Sequence, residues 1–145
     1  MSSRPHVTAT HPPGSRAHAS SRSVLPLLLV AWLIPGAGHV LYGDVRRGGI
    51  LFVTLTAMFA LGIAFGGRLF PFQLSEWLVF LAAVAQWGAG VPRLIAGLAG
   101  VGDGDVIAVT YEYGNTFLMA SGLLNALVVL DVHDRARGLK GAVGR

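Results

Sequence analysis

Long stretches without a charged side chain alternate with short polar segments along the middle of this chain. Four such stretches, each of 16 to 20 residues, occupy residues 24–43, 48–67, 77–92 and 113–130. An α-helix of about 20 apolar residues crosses the roughly 30 Å of hydrocarbon in a bilayer. The pattern therefore predicts an all-α fold, an integral membrane bundle of about four transmembrane helices.

Helix-breaking and capping residues set the boundaries of the predicted helices. Pro35 lacks a backbone donor, so we expect a kink there in the first helix. Asp44, Ser75 and Asn115 carry side chains that cap helix N-termini, and each should begin one of the next three helices. The apolar segment at residues 94–101 is predicted to be re-entrant or interfacial. The predicted helices cover residues 25–43, 45–67, 75–91 and 115–137.

Composition indicates a lipid environment. Hydrophobic residues make up 53% of the 145 residues and charged residues 12%, so a soluble core could not bury the apolar surface. We expect a disordered basic tail at residues 1–23, a helical membrane domain at 24–138 and a flexible basic tail at 139–145. The absence of cysteine excludes disulfides and thiolate metal sites, and we expect no cofactor.

Positive charge lies mostly in the two tails, beside hydrophobic segments. Because these arginines lack interleaved aromatic residues, we expect membrane lipids rather than nucleic acid as the partner. Lys and Arg concentrate on the cytoplasmic side of membrane proteins, which favours four spans with both termini cytoplasmic. The pair Arg46–Arg47 is the exception, since four spans would place it outside. In the alternative, the first helix dips in and returns, which moves that pair inside and places the C-tail outside.

The densest group of polar and small residues follows the first hydrophobic run. Its members are Pro35, Gly36, Gly38, His39, Tyr42, Gly43 and Asp44, with Arg46 and Arg47 directly after them. One interpretation is an anion or headgroup site in which the two arginines neutralise a phosphate. The interpretation that we favour is structural: proline and glycine break the helix, Asp44 caps the next helix, and His39 satisfies exposed carbonyls.

A second group stands at the entrance to the last helix and consists of Glu112, Tyr113, Gly114 and Asn115. Glu112 could bind a cation or accept a proton. The structural alternative, which we favour, is a turn at Gly114, a cap at Asn115 and tyrosines at the membrane interface. Further along, Asn125 and Gln86 are polar side chains within apolar runs, and we expect them to hydrogen-bond between helices.

Asp131, His133 and Asp134 lie at the other end of the last helix, where Asp131 and Arg135 can pair at spacing i, i+4. Four spans would separate His39 from these residues by the whole membrane. Only a first helix that dips and returns could bring the two groups together, so we predict no metal site.

These motifs also carry a resemblance. The Pro-Gly-x-Gly-His segment followed by basic residues is similar to a signature of many small bacterial membrane proteins, and it distantly resembles the two-transmembrane-segment domain. Together with Glu-Tyr-Gly-Asn-Thr at 112–116, it resembles an uncharacterised bacterial family, a domain of unknown function, over about residues 24–138. The resemblance implies a helical fold in the bacterial inner (cell) membrane. It implies no activity and no catalytic residue.

Three functions remain open. The first, which we favour, is a non-enzymatic structural or accessory component that associates with itself or with another membrane protein, since small residues such as those of Gly62-x-x-x-Gly66 promote helix contacts. The second is a transporter or channel subunit that works as an oligomer, because broken helices line substrate sites in such proteins. The third is a membrane enzyme that acts on lipid headgroups with His39, Asp44 and Glu112.

Overall fold

All the regular elements that the structure describes are helices. The computed structural model describes residues 24–138, and the predicted tails lie outside these residues. The predicted all-α membrane fold is confirmed, with six helices in this part of the chain. They are α1 (Val24–Leu33), α2 (Ala37–Leu41), α3 (Val45–Ala64), α4 (Trp77–Trp87), α5 (Val91–Leu98) and α6 (Tyr111–Ala136).

Two helices are long and apolar enough to cross a membrane, and a third crossing would require α4 and α5 to act as one span. The two are α3, with 20 residues, and α6, with 26 residues. At 1.5 Å per residue they measure about 30 Å and about 39 Å. They run antiparallel, because Asp44 at the start of α3 lies near Arg135 late in α6. We call this the Asp44 end of the bundle and the opposite end the Glu112 end.

Small residues hold α3 against α6. A Cβ atom placed at Gly62 would stand 2.7 Å from Leu118 Cγ and 2.9 Å from the carbonyl oxygen of Gly114. Of the predicted Gly62-x-x-x-Gly66 pair, Gly62 is therefore covered by the chain's own last helix, and Gly66 faces Asp105 and Ala108 in the loop before it. Phe59, Ala89, Ala96 and Leu118 form the buried apolar cluster next to this contact.

The first predicted helix is two short helices that double back. Gly36, directly after Pro35, adopts a left-handed conformation (φ 79°), which reverses the chain instead of merely kinking it. Ala31 of α1 and Gly38 of α2 consequently lie side by side, since a Cβ at Gly38 would be 3.0 Å from that of Ala31. Seven residues of continuous helix would separate them by about 10 Å. Both arms of this first hairpin, α1–α2, therefore lead to the Asp44 end.

The third predicted helix is likewise one arm of a hairpin. Helix α4 ends at Trp87, and α5 leaves it at an angle of 111°. After α5 the chain returns to where it started, because Leu69 N–H donates to the Gly102 carbonyl over 2.8 Å. This second hairpin, α4–α5, starts and ends at the Glu112 end of the bundle. The segment at 94–101, predicted to be re-entrant or interfacial, belongs to α5, which begins at Val91 with Pro92 tolerated in its first turn.

Capping is where the predicted boundaries differ most from the structure. Asp44 does occupy the N-cap position of α3, yet its side chain makes no capping hydrogen bond. Helix α4 begins at Trp77 with Glu76, rather than Ser75, before it. Helix α6 begins at Tyr111, so Asn115 lies inside the helix instead of capping it.

Candidate functional site

The reversal of the first hairpin brings two predicted motifs into contact at the Asp44 end. The Nε2 atom of His39 donates to the carboxylate Oδ2 of Asp131 over 3.0 Å, although 92 residues separate them in the chain. His39 is buried, with 4% of its surface exposed. The side chain of Asp131 keeps 25% of its surface exposed. Four spans would have placed His39 and Asp131 on opposite membrane faces, and that expectation is wrong because α2 returns to the face from which α1 entered.

Arginines extend this pair into a charged cluster. The Nε atom of Arg135 is 3.1 Å from the same Asp131 oxygen, as the i, i+4 spacing predicted. Its guanidinium also lies 3.9 Å from Asp44 Oδ2, and Arg47 Nε approaches that oxygen to 3.3 Å. Asp44 therefore contacts arginines on α3 and α6 instead of capping a helix. We call His39, Asp44, Arg47, Asp131 and Arg135 the Asp44 cluster.

The Pro-Gly-x-Gly segment makes this geometry attainable. A Cβ at Gly36 would collide with the carbonyl of Gly48 on α3, and a Cβ at Gly38 would stand 2.9 Å from Val132 Cγ1 on α6. Only glycine lets the short α2 pack this closely between α3 and α6. Gly43, with φ 83°, then turns the chain into α3. The structural role assigned to Pro35, Gly36, Gly38 and Gly43 thus matches their packing, and Tyr42 is half-exposed beside them.

Asn125 joins the two hairpins in the middle of the bundle. Its side-chain amide donates to the carbonyl of Trp32 at the end of α1 and to that of Gly88 at the end of α4, each over 2.9 Å. Asn125 has no exposed surface. Carbonyls that a broken helix leaves unpaired are costly in hydrocarbon, and this amide satisfies two of them. The predicted interhelical role of Asn125 is confirmed by these contacts.

The second motif serves the backbone at the Glu112 end. The Oδ1 atom of Asn115 accepts from Arg68 N–H over 2.8 Å. Gln86 donates to the Arg68 carbonyl over 2.8 Å and accepts from Phe70 N–H over 2.9 Å. Asn115 was expected to cap α6. The helix instead starts one turn earlier, so the amide points inward and stabilises the loop after α3.

The remaining members of that motif differ in exposure. Gly114 is buried against the loop after α3, where an added Cβ would stand 2.8 Å from the Gly67 Cα. Tyr113 is 64% exposed, and Glu112 lies exposed in the first turn of α6, where a carboxylate suits the helix dipole. Position 112 precedes Asp131 by nineteen residues, or about 28 Å of helix. His39, Asp44 and Glu112, which four spans would have placed on one face, are therefore not brought together.

Metal ligands do not converge in this part of the chain. Among residues 24–138, no group of three or more His, Asp or Glu side chains is placed to hold a metal ion. His133 contacts its neighbour Asp134 at 3.5 Å, away from the His39–Asp131 pair.

Two further glycines of the site pack directly against carbonyls of neighbouring helices. A Cβ at Gly90 would collide with the Trp32 carbonyl, and a Cβ at Gly122 would collide with that of Ala85. In a chain with 20 glycines, composition does not distinguish these two from the others. The available signal was their position, since Gly90 precedes Pro92 and Gly122 lies one turn before Asn125.

Similarity to known proteins is confined to one family. No curated protein and no solved structure matches the chain at a significant level. Residues 26–143 match DUF6677, described as a family of unknown function. This match covers α2 to α6 completely and all but the first two residues of α1. By its sequence, and in agreement with the resemblance noted above, the chain belongs to DUF6677.

Proposed function

We propose that this protein is a non-enzymatic structural or accessory component of a membrane. The observation that carries the proposal is the use of its buried amides. The Asn125 amide bonds carbonyls at the ends of the chain's own broken helices, and Gln86 bonds the backbone of the loop after α3. Of the three side chains that the enzyme hypothesis requires, Glu112 stands at the opposite end of the bundle from His39 and Asp44. A rigid scaffold that presents apolar faces to neighbours fits this distribution.

The charge distribution supports an orientation with the Asp44 end in the cytoplasm. Arg46, Arg47, Arg135 and Arg137 lie at that end, and the sequence attaches five more Lys and Arg to it through residues 1–23 and 139–145. Two cations, Arg68 and Arg93, belong to the other half. Nine against two satisfies the positive-inside rule, and the pair Arg46–Arg47 is no longer an exception. The membrane that we propose is a bacterial inner (cell) membrane.

Complementation of a deletion strain separates a scaffold from an enzyme. Glu112→Gln removes an exposed charge and should complement fully, whereas Asn125→Ala removes the amide that joins the hairpins and should fail. Crosslinking in native membranes should in addition yield a specific adduct with a second copy or another membrane protein. A Glu112→Gln variant that is folded and inserted but inactive would contradict the proposal, as would a chain that crosslinks to no protein.

A channel or transporter subunit that works as an oligomer is the second candidate. Two re-entrant hairpins that enter from opposite faces and meet at mid-depth favour it, since broken helices of this kind form substrate sites in transporters. Within one chain the tips are closed, because Gly90 packs directly on the Trp32 carbonyl. Ion or solute flux through proteoliposomes that disappears in Gln86→Ala would support this candidate over the scaffold.

A further inference from the structure

Two neighbouring grooves run along the outer side of α3 at the Asp44 end. The first, of about 460 Å³, lies between α3 and α6 and has His39 and Asp131 at its polar end. The second, of about 450 Å³, is an open depression lined by α3 alone, with Arg46 at its polar end and Gly49 in its floor. We call them the His39 groove and the Arg46 groove. Ile50 and Thr54 line both grooves and form the ridge between them.

Each groove is polar at one end and apolar along the rest. Leu55, Leu127 and Val128 line the His39 groove below its polar end, and Val53 continues the Arg46 groove. Asp131 precedes the last residue of α6 by five positions, or about 7.5 Å of helix. Because α6 is about 9 Å longer than the hydrocarbon is thick, the polar ends lie near the level of the lipid ester groups. The apolar walls lie at the level of the acyl chains.

Arg46 provides a charge that the protein itself does not neutralise. Within residues 24–138 its guanidinium has no carboxylate within 4.0 Å, whereas Arg47 and Arg135 each contact Asp44. Beside it, Gly49 leaves a depression, since a Cβ there would meet no atom within 4 Å. A cation above an open apolar groove is complementary to a phosphate that carries a hydrocarbon chain.

We propose that these grooves bind one anionic glycerophospholipid. The lipid straddles the ridge of Ile50 and Thr54, with one acyl chain in each groove and its phosphate on Arg46. Two apolar surfaces on either side of one ridge match a two-chain lipid, and the cation at the top of one of them selects a net negative headgroup. This site lies outside the contacts on which the proposed scaffold function rests.

Native mass spectrometry of the full chain tests the proposal. The protein is reconstituted into vesicles of equal parts phosphatidylglycerol and phosphatidylethanolamine and then transferred to a mild detergent. We expect one retained phosphatidylglycerol per chain, with at least about tenfold preference over phosphatidylethanolamine. Arg46→Gln should abolish the preference, while Arg137→Gln, which removes a cation at the same end but outside both grooves, should keep it.

Variants that fill a groove test the position of the chains. Gly49→Leu fills the Arg46 groove from a position where an added Cβ meets no atom within 4 Å, and the change improves helix propensity. Leu127→Trp narrows the His39 groove. Leu123→Trp is the matched control, because Leu123 is 55% exposed on the same helix, against 60% for Leu127, yet lines neither groove.

The groove-filling variants should lower lipid retention at least about tenfold, and the control should not. Retention unchanged in Gly49→Leu and Leu127→Trp would overturn the proposal. So would an equal loss in Leu123→Trp, since that would indicate unspecific annular lipid. A dimer that dissociates in the groove-filling variants would assign the grooves to a second copy, and retention of single-chain lipid only would likewise contradict the two-chain site.

Discussion

The pair His39–Asp131 shows how much a single contact depends on its surroundings. The same two residue types recur a short way along α6, as His133 and Asp134. The first pair is largely buried and joins residues 92 positions apart in the chain, whereas the second joins neighbours at the surface of the helix. Hydrogen bonds to charged groups gain strength where water is scarce. The two pairs should therefore differ widely in energy.

A double-mutant cycle measures that difference. His39→Ala and Asp131→Ala should be coupled by about 1–3 kcal/mol in the free energy of unfolding, because their bond joins a buried imidazole to a carboxylate. The control cycle on His133 and Asp134 should give about 0–1 kcal/mol. Reversible unfolding in mixed micelles supplies the four free energies for each cycle. Equal coupling in the two cycles would contradict the burial argument.

Asn125 is the residue on which both hairpins depend. Asn125→Leu keeps the volume but removes two hydrogen bonds to carbonyls at mid-depth, and interhelical bonds of this kind average about 0.6 and reach about 1.7 kcal/mol in membranes. We expect a loss of about 1–3 kcal/mol in the free energy of unfolding. Leu123→Asn, the reverse change on the lipid-facing side, adds no bond to the hairpins and does not compensate when combined with Asn125→Leu.

At the scale of elements, close packing of glycine decides which helices can touch. Gly122 of α6 faces the carbonyl of Ala85 on α4, while Gly49 of α3 faces open space. Gly122→Ala should therefore push α4 away from α6 and cost about 1–3 kcal/mol of stability.

Gly49→Ala is the matched control for Gly122→Ala, because an added Cβ at position 49 has no atom within 4 Å. It should leave stability unchanged or raise it by about 0.5–1 kcal/mol, since alanine restricts the unfolded chain more than glycine does. Thermal unfolding of both variants in the same detergent compares them directly. A Gly122→Ala protein as stable as Gly49→Ala would show that the α4–α6 contact is looser than described.

Some elements could be predicted from the sequence and others could not, because only some boundaries are set by local properties of the chain. Helix α3 was predicted at 45–67 and ends at Ala64, because its length and its Gly43–Asp44 boundary are local properties of the sequence. The first hairpin was predicted only as the alternative to a spanning helix, and the second only in part, through the segment at 94–101. A charge-free run of about 20 residues is equally suited to cross 30 Å once or to enter half-way and return. Proline and glycine mark the break at Pro35, but the backbone angle at Gly36 decides between a kink and a reversal.

The contacts of the candidate site were predictable only where they do not depend on the hairpins. Pairing of Asp131 with Arg135 is set by helix periodicity, and the sequence alone was sufficient to predict it. Contact of His39 with Asp131 requires the reversal at Gly36 and could be stated only as one of two alternatives. Asn115 was assigned to a cap because its residue type favours that position, whereas the structure uses its amide to hold the Arg68 loop.

At the scale of the described chain, residues 24–138 contain two helices long enough to cross a membrane and two hairpins, and an arrangement with two crossings would assign each loop to a face. The Tyr42 loop belongs to the same face as both ends of the described chain. Leu74 and Ile107, which are 86% and 90% exposed, belong to the opposite face. Four crossings would instead place Tyr42 and Leu74 on opposite faces but Tyr42 and Ile107 on the same face.

Labelling of single introduced thiols distinguishes the two arrangements, and the chain has no cysteine of its own. In oriented membranes Tyr42→Cys and Lys140→Cys should react from one side, and Leu74→Cys and Ile107→Cys from the other. A membrane-permeant thiol reagent provides the control for total reactivity. Reaction of Tyr42→Cys and Ile107→Cys from the same side would restore four crossings.

The hydrogen bond from the Asn125 side-chain amide to the Trp32 carbonyl joins residues 93 positions apart in the chain. During synthesis the first hairpin therefore leaves the ribosome long before Asn125, which stabilises it, has been added to the chain. The second hairpin depends on the same residue. Until the final helix arrives, α3 is the one element described here that is able to span the bilayer unaided. Assembly is consequently completed from the carboxyl side, and a chain truncated before residue 125 leaves both hairpins unfastened.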